Sequence, residues 1–406
     1  VVNDIYRGNG AHGLAHDYPG TLAISVSLAN SNTTNLIDIE VAFVGHENAP
    51  PFEWQLPELA INSKALGGSA MRYQLALNVG DDISLPNGIF RLNGNDLIAF
   101  DPMWLAIPNF SSELEYLAPA WQLNLEYAPH LIAVSAPMLK VELNEKRKLK
   151  NSLTQIVPSG SSWPFFAVAN YRARQVGDFK WFLRLDSKSK LPDGVISELL
   201  LLEKVLDAQL GTHKIPFTVS SFPYSGDRLF SGLLVFDEQR GWFDAPMDTS
   251  IDSFSRRVHL ARILCEYRFG IESTGRGSAK MFLTRSLAEY LAQQLLEGAG
   301  YDDEAKSMSD FWKLNESNAG GLPQALSLTP VNDLYGARRL LSYGALVWEN
   351  IASKLGPKKF NKLCGQIYLK SAYSADDLLN MLMLASPDIE WSKYFQQHVF
   401  GNQLLK

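Results

Sequence analysis

Apolar and polar residues alternate through most of the first 175 positions. The runs TLAISVSLAN, IDIEVAF, MRYQLALNV, WQLNLEY and PFFAVANYRA place apolar side chains at every second residue, the period of a strand with one buried face. Gly, Pro and Asn clusters separate them, and SNTTN (Ser31 to Asn35) and LPNG (Leu85 to Gly88) supply turn chemistry. After Phe179 the period changes. Pro192 and Asp193 open GVISELLLLEKVLDAQLG, which keeps helical spacing up to Gly211. IPFTVSSFPYSGDRLFSGLLVFDE then gives two strand-like runs about a loop. In RRVHLARILCEYRFG, residues Val258, Ala261, Ile263, Leu264, Tyr267 and Phe269 make a mostly apolar helix, with Gly270 as a left-handed stop. In KMFLTRSLAEYLAQQ, residues Met281, Phe282, Leu287, Ala288, Leu291 and Leu295 repeat at helical spacing. From Tyr301 onward the chain reads as helix, with Gly356-Pro357 as a stop and start and Ser374 with Asp377 as a capping box.

Composition narrows the function classes. At 406 residues, with 46% apolar and 20% charged side chains, the chain can build two or three ordinary globular cores. Its net charge is −6, from 37 basic and 43 acidic residues, and no basic stripe of the kind that phosphate binding requires stands out. Nucleic acid is therefore not an expected partner. No apolar run approaches the roughly twenty residues of a membrane span. The two cysteines, Cys265 and Cys364, sit in helical patterns and make neither a disulfide framework nor a metal cluster, so both are expected to be core thiols.

The two helices between Ser255 and Tyr290 carry a resemblance. They resemble the active-site pair of the M1-type (gluzincin) zinc aminopeptidases, which read H-E-x-x-H-x-W-F-G and W-L-N-E-G-F-A-x-Y. Anchoring on Phe269-Gly270 places Arg262 and Glu266 at the family's two histidine ligands and Ile263 at its general base. The third ligand, a glutamate nineteen residues after the second histidine, falls on Arg285, inside the retained apolar frame Phe282 to Tyr290. Asp101 to Pro108 and Trp163 to Tyr171 resemble segments of the family's amino-terminal β domain. The loop Ser225 to Ser231 stands where the family has its G-A-M-E-N substrate loop, whose glutamate holds the peptide amine. That glutamate falls on Arg228 or Leu229, beside Gly226 and Asp227. Aligning Gly344 to Val347 puts Leu341 at the tyrosine that steadies the tetrahedral intermediate, with Tyr343 two residues later and about 200° round the helix.

The resemblance implies an α+β, multidomain fold. An M1-like amino-terminal β domain over 1–176 precedes a thermolysin-like (zincin) α/β domain over 177–406 with a helical carboxy-terminal part. It also implies an erased metal site. Zinc hydrolysis needs three protein donors, an open position for water and a base, whereas arginine is a permanent cation with no lone pair to give. Zinc is accordingly expected to be absent and no catalytic residue is assigned. Arg262 and Glu266 share a helix face at i,i+4, and Arg285 is expected to join them in an Arg–Glu–Arg cluster. The alternative use of those arginines is to bind an anion or a peptide carboxylate. The expected function is a catalytically inactive aminopeptidase-like module with a peptide or protein partner, and the alternative is a divergent metallo-aminopeptidase with a non-standard site.

Other candidates carry less. His12 and His16 lie four apart, but Gly13 and Pro19 oppose a helix there, and His259 fits a packed or capped histidine. No G-x-S-x-G elbow or reactive-cysteine setting occurs. Family habit and a start without methionine set an expectation of an extracytoplasmic location. Ligand, partner and oligomeric state stay open at this point.

Overall fold

Strand alternation in the early chain becomes a set of sheets whose inner faces carry the amino-terminal core. The computed structural model describes residues 19–28, 36–58, 60–76, 89–92, 96–99, 104–110, 120–128, 130–136, 142–143, 151–157, 164–176, 179–185, 193–214, 218–222, 227–238, 251–277, 279–318, 325–328 and 334–401. The turns at 31–35 and 85–88, His12, His16, Trp163 and Gly226 lie outside these described residues.

By packing, the chain falls into two compact units. Leu14–Lys190 goes with Pro216–Arg240, and Leu191–Ile215 goes with Gly241–Lys406. In the first unit a seven-stranded sheet runs in the order Glu142–Leu143, Asn151–Val157, Ala120–Tyr127, Gly20–Ser27, Leu36–Gly45, Ala70–Ala76, Ala60–Ala65. Gly20–Ser27 pairs antiparallel with Leu36–Gly45 and parallel with Ala120–Tyr127, so Leu22, Ile24, Val26, Ile39, Val41, Leu123 and Leu125 all point into one core. Period-two burial along each strand is what the alternation predicts. Tyr73 closes the layer, its hydroxyl donating to the Trp104 carbonyl (3.0 Å) and accepting the Ala106 N–H (2.9 Å).

PFFAVANYRA divides at Asn170. Phe165–Ala169 belongs to a four-stranded sheet, and Tyr171–Val176 to a mixed five-stranded sheet with Phe179–Arg184, Thr218–Phe222, Leu233–Asp237 and Arg228–Phe230. The segment after Ile215 thus yields three strands where two were expected, because Arg228–Phe230 turns back antiparallel on Leu233–Asp237. A buried ion cluster holds this region. Arg184 bonds Asp96 and both oxygens of Glu238 (3.2 and 3.3 Å), and Ser221 donates to Glu238 (2.9 Å).

The second unit is helical: α1 (Asp193–Leu210), α2 (Ile251–Glu266), α3 (Leu287–Gly298), α4 (Asp302–Asn318), α5 (Leu334–Leu355), α6 (Pro357–Leu369), α7 (Ala375–Ala385) and α8 (Trp391–His398). Gly211 adopts φ +89° and ends α1 as its position predicts. Ser374 and Asp377 form the expected capping box of α7. The first aminopeptidase-like helix behaves differently. Gly270 is not a left-handed stop; α2 widens into a π-helical turn over Tyr267–Glu272 that ends at extended Ser273. A second π-helical turn, Phe282–Ser286, leads into α3. Gly344 lets α5 approach that turn, since a Cβ there would lie 2.1 Å from the Ser286 hydroxyl oxygen. Both cysteines are buried and unbonded, and burial pushes both thiols well above their ordinary range.

Candidate functional site

The helix α2 is held by arginine on two sides. Arg256, fully buried, reaches Glu198 of α1 at 3.4 Å, while Arg257 donates to Glu198 (2.7 Å) and to Glu304 of α4 (2.8 Å). One turn further, Arg262 takes its partner from the neighbouring helix rather than from its own. Its Nε and Nη2 donate to the two oxygens of Glu289 on α3, at 2.6 and 2.5 Å. The Trp312 indole adds a third bond to that carboxylate (3.0 Å). The arginine side chain is 32% exposed and the carboxylate 1%. Burial works against the guanidinium charge, but Glu289 outweighs it and holds Arg262 above its ordinary range, with Glu266 adding at longer reach.

This corrects the expected Arg–Glu–Arg cluster. No ion pair joins Arg262 to Glu266, because a fixed bidentate carboxylate from α3 meets the guanidinium fork better than a residue on its own helix. Ile263 is buried in the core, and Arg285 is 7% exposed on the π-helical turn before α3. Leu341 is half-buried on α5. Tyr343 is buried, its hydroxyl 3.2 Å from His398 Nδ1 and its ring 4.8 Å beneath the Arg339 guanidinium. Asp227, Arg228 and Leu229 are buried in the first unit. Asp227 accepts the Asp237 N–H at 2.8 Å from the following strand, and the other two lie on a strand instead of a loop.

A second arginine centre lies six residues beyond Arg262 and was not foreseen. Arg268, fully buried in the π-helical turn, bonds Glu203 and Asp207 of α1 through Nη2. Its Nη1 donates to the Tyr368 hydroxyl (2.6 Å) and faces Glu272 at 3.5 Å. Tyr368 in turn donates to Glu272 (2.5 Å), and burial with that carboxylate pushes its hydroxyl up to about 12. His213 sits with Nε2 2.6 Å from Glu203 and Nδ1 3.8 Å from Glu272, and Lys214 caps the Tyr368 carbonyl. Burial would raise the Glu203 carboxyl, but His213 and Arg268 together hold it below its usual range. Burial and the charge of Glu203 push Asp207 upward. Nothing in local spacing announces this group, because its members come from three elements far apart in sequence.

Comparison with known proteins shows which solved structures share the fold. No protein-family profile matches the sequence, and no curated protein does either. Among solved structures, an M1 zinc metallopeptidase from Deinococcus radiodurans superposes with TM-score 0.65 at 14% identity, over 98% of this chain and 96% of that one. A glutamate-to-alanine mutant of an M1 zinc metallopeptidase from the same organism, bound to a Tyr-Ser-Ala substrate, gives 0.63 at 13% identity over 97% and 96%. A two-domain M1 zinc metallopeptidase mutant bound to L-arginine gives 0.65 at 14% over 98% and 96%. The chain has the M1 metallopeptidase fold.

Within that M1 fold the residues expected at the ligand positions do not fit a zinc ion. Arg262 has its fork committed to Glu289, Arg285 is a cation, Ile263 cannot take a proton, and Glu266 is a single carboxylate. Among the described residues no group of three or more His, Cys, Asp or Glu side chains is arranged to hold a metal ion. No helix among them is long and apolar enough to cross a membrane.

Proposed function

We propose that this chain is a catalytically inactive protein of the M1 fold that serves as a binding or assembly module for a peptide, an anion or a protein partner. The observation that carries this reading is the Arg262–Glu289 ion pair, which sets a guanidinium fork where the resemblance expects a histidine ligand. Hydrolysis by a zinc-bound water needs electron-pair donors and a base, and arginine, isoleucine and arginine at 262, 263 and 285 supply neither. A binding role retains what such a site still has, a half-exposed arginine fixed by a buried carboxylate. The competing reading, a divergent metallo-aminopeptidase, draws on the match to M1 metallopeptidases over nearly the whole chain.

Elemental analysis of protein purified without chelator or affinity tag separates the two, together with an aminopeptide turnover assay. Substoichiometric zinc with no turnover is the expected result. One zinc per chain with turnover overturns the proposal. For the peptide or anion version, Arg262→Met/Glu289→Gln should abolish binding of a short peptide probe while the fold persists. Binding that survives in this variant removes Arg262 from the site.

A further inference from the structure

Two surface helices of the second unit carry outward stripes of opposite charge and identical spacing. On α6, Phe360, Leu363, Cys364, Ile367 and Tyr368 face inward. At 100° per residue, Lys358, Lys362, Gly365 and Leu369 fall on the opposite side within an arc of about 60°. Both lysines are exposed, and Leu369 is 80% exposed. No carboxylate occurs between Asn350 and Ala375, a stretch with five lysines in a chain of net charge −6. Lys358, Lys359 and Lys362 make no ion pair with any of the described residues. Like charges at i,i+4 disfavour the helix that bears them. Gly365 adds to that cost: a Cβ there would touch nothing within 4 Å, so packing inside the chain does not ask for glycine, and alanine would hold the helix better. The outward face of α6 thus carries two lysines and a leucine in solvent, with bare backbone between them.

The helix α4 offers the complement. Glu304, Ala305, Met308 and Trp312 are buried, while Asp303, Ser307, Asp310 and Leu314 are exposed at the same 4-3-4 spacing. Phe311 beside them is 45% exposed and Leu314 is 59% exposed. The lysines of α4, Lys306 and Lys313, border one side of that stripe, where they line a groove with Asp310, Glu297 and Glu349. Laid parallel, Lys358 meets Asp303, Lys362 falls between Asp303 and Asp310, Gly365 leaves room for the Asp310 carboxylate, and Leu369 meets Leu314. Repeats of four and three are the seam spacing by which two helices pack side by side.

We propose that α6 of one copy of this chain docks on α4 of a second copy. This self-association stands apart from whether the chain hydrolyses peptides. A 13-residue helix is about 20 Å long, so one such contact is small and its strength depends on screening. Sedimentation of the full chain over a range of concentrations, at low and high salt, tests it. The expected result is association at low salt that high salt dissolves. The variants K358E/K362E and D303K/D310K should each weaken association by about tenfold or more. An equimolar mixture of the two should regain it, since one wild-type α4 then meets one wild-type α6, and the fourfold charge-swapped chain should regain it too. Gly365→Gln should weaken association without lowering the thermal midpoint. A wild type that stays monomeric at all concentrations overturns the proposal. So does association indifferent to both charge reversals, and so does binding to anionic vesicles without self-association.

Discussion

Arg262 and Arg268 lie six residues apart on one run of helix, and they hold the helical unit in different ways. Arg262 meets one carboxylate across the gap to α3, charge for charge, and its side chain keeps a third of its surface in solvent. Arg268 has none in solvent and faces three carboxylates, Glu203, Asp207 and Glu272, with His213 and Tyr368 completing the set. The first is a local pair that a different pair could replace. The second ties α1, His213 just after it, the π-helical turn and α6 together, and no single neutral substitution matches it. The position that the sequence resemblance sets against a histidine ligand is therefore the more replaceable of the two centres here.

Removing each arginine tests that contrast. Arg268→Met leaves the buried Glu203 and Glu272 and the part-exposed Asp207 without their shared cation, and the expected loss is about 3–5 kcal/mol, read from the urea midpoint at constant slope. Arg262→Met strands only Glu289, which keeps the Trp312 bond, so about 2–3 kcal/mol is expected. If the two losses prove equal, the distinction fails. A sharper version adds the missing half. Arg262→Met/Glu289→Gln should return to within about 1 kcal/mol of the wild type, because a neutral amide still accepts from Trp312. Adding Glu272→Gln to Arg268→Met should not rescue, because Glu203 and Asp207 still face one another.

The smallest effect concerns Asp207, whose sign is reversed. Its carboxyl is pushed upward by burial and by Glu203, so ionisation is less favourable in the folded chain than in the unfolded one. Its charge therefore subtracts stability as pH rises from the unfolded value toward the raised folded value, and the deficit is complete above that. Asp207→Asn should match or slightly exceed the wild type at neutral pH, within about 1 kcal/mol, and the difference should shrink on acidification below the ordinary carboxylate range. Denaturation midpoints of both chains across acid pH check this.

Much of the fold was legible in sequence because its signals are local. Alternation marked Gly20–Ser27, Leu36–Gly45 and Ala120–Tyr127, and Gly211, Gly356-Pro357 and Ser374 marked helix ends. The order of degraded motifs pointed to the M1 fold. What stayed hidden was pairing over distance. Glu266 was the obvious mate for Arg262 at i,i+4, but the carboxylate that binds it lies 27 residues on, one helical turn past Arg285. Glu203 and Asp207 are 65 and 61 residues from Arg268, which in the sequence reads only as an arginine inside an apolar frame. The π-helical turns were also invisible, since an apolar run has the same composition whether its backbone bonds close over four residues or five. Gly270 shows it: read as a stop, it is carried through by the wider turn.

The buried cysteines turn the arginine centre into something that can be timed. Cys265 lies three residues before Arg268 and Cys364 four before Tyr368, both hidden and both held in the protonated form. Only thiolate attacks a labelling reagent, so neither reacts while the region stays closed. Each modification event then counts one opening of α2 or α6. With one cysteine replaced by serine at a time, the two labelling rates become separate clocks, and a centre that opens as a unit will make them tick together.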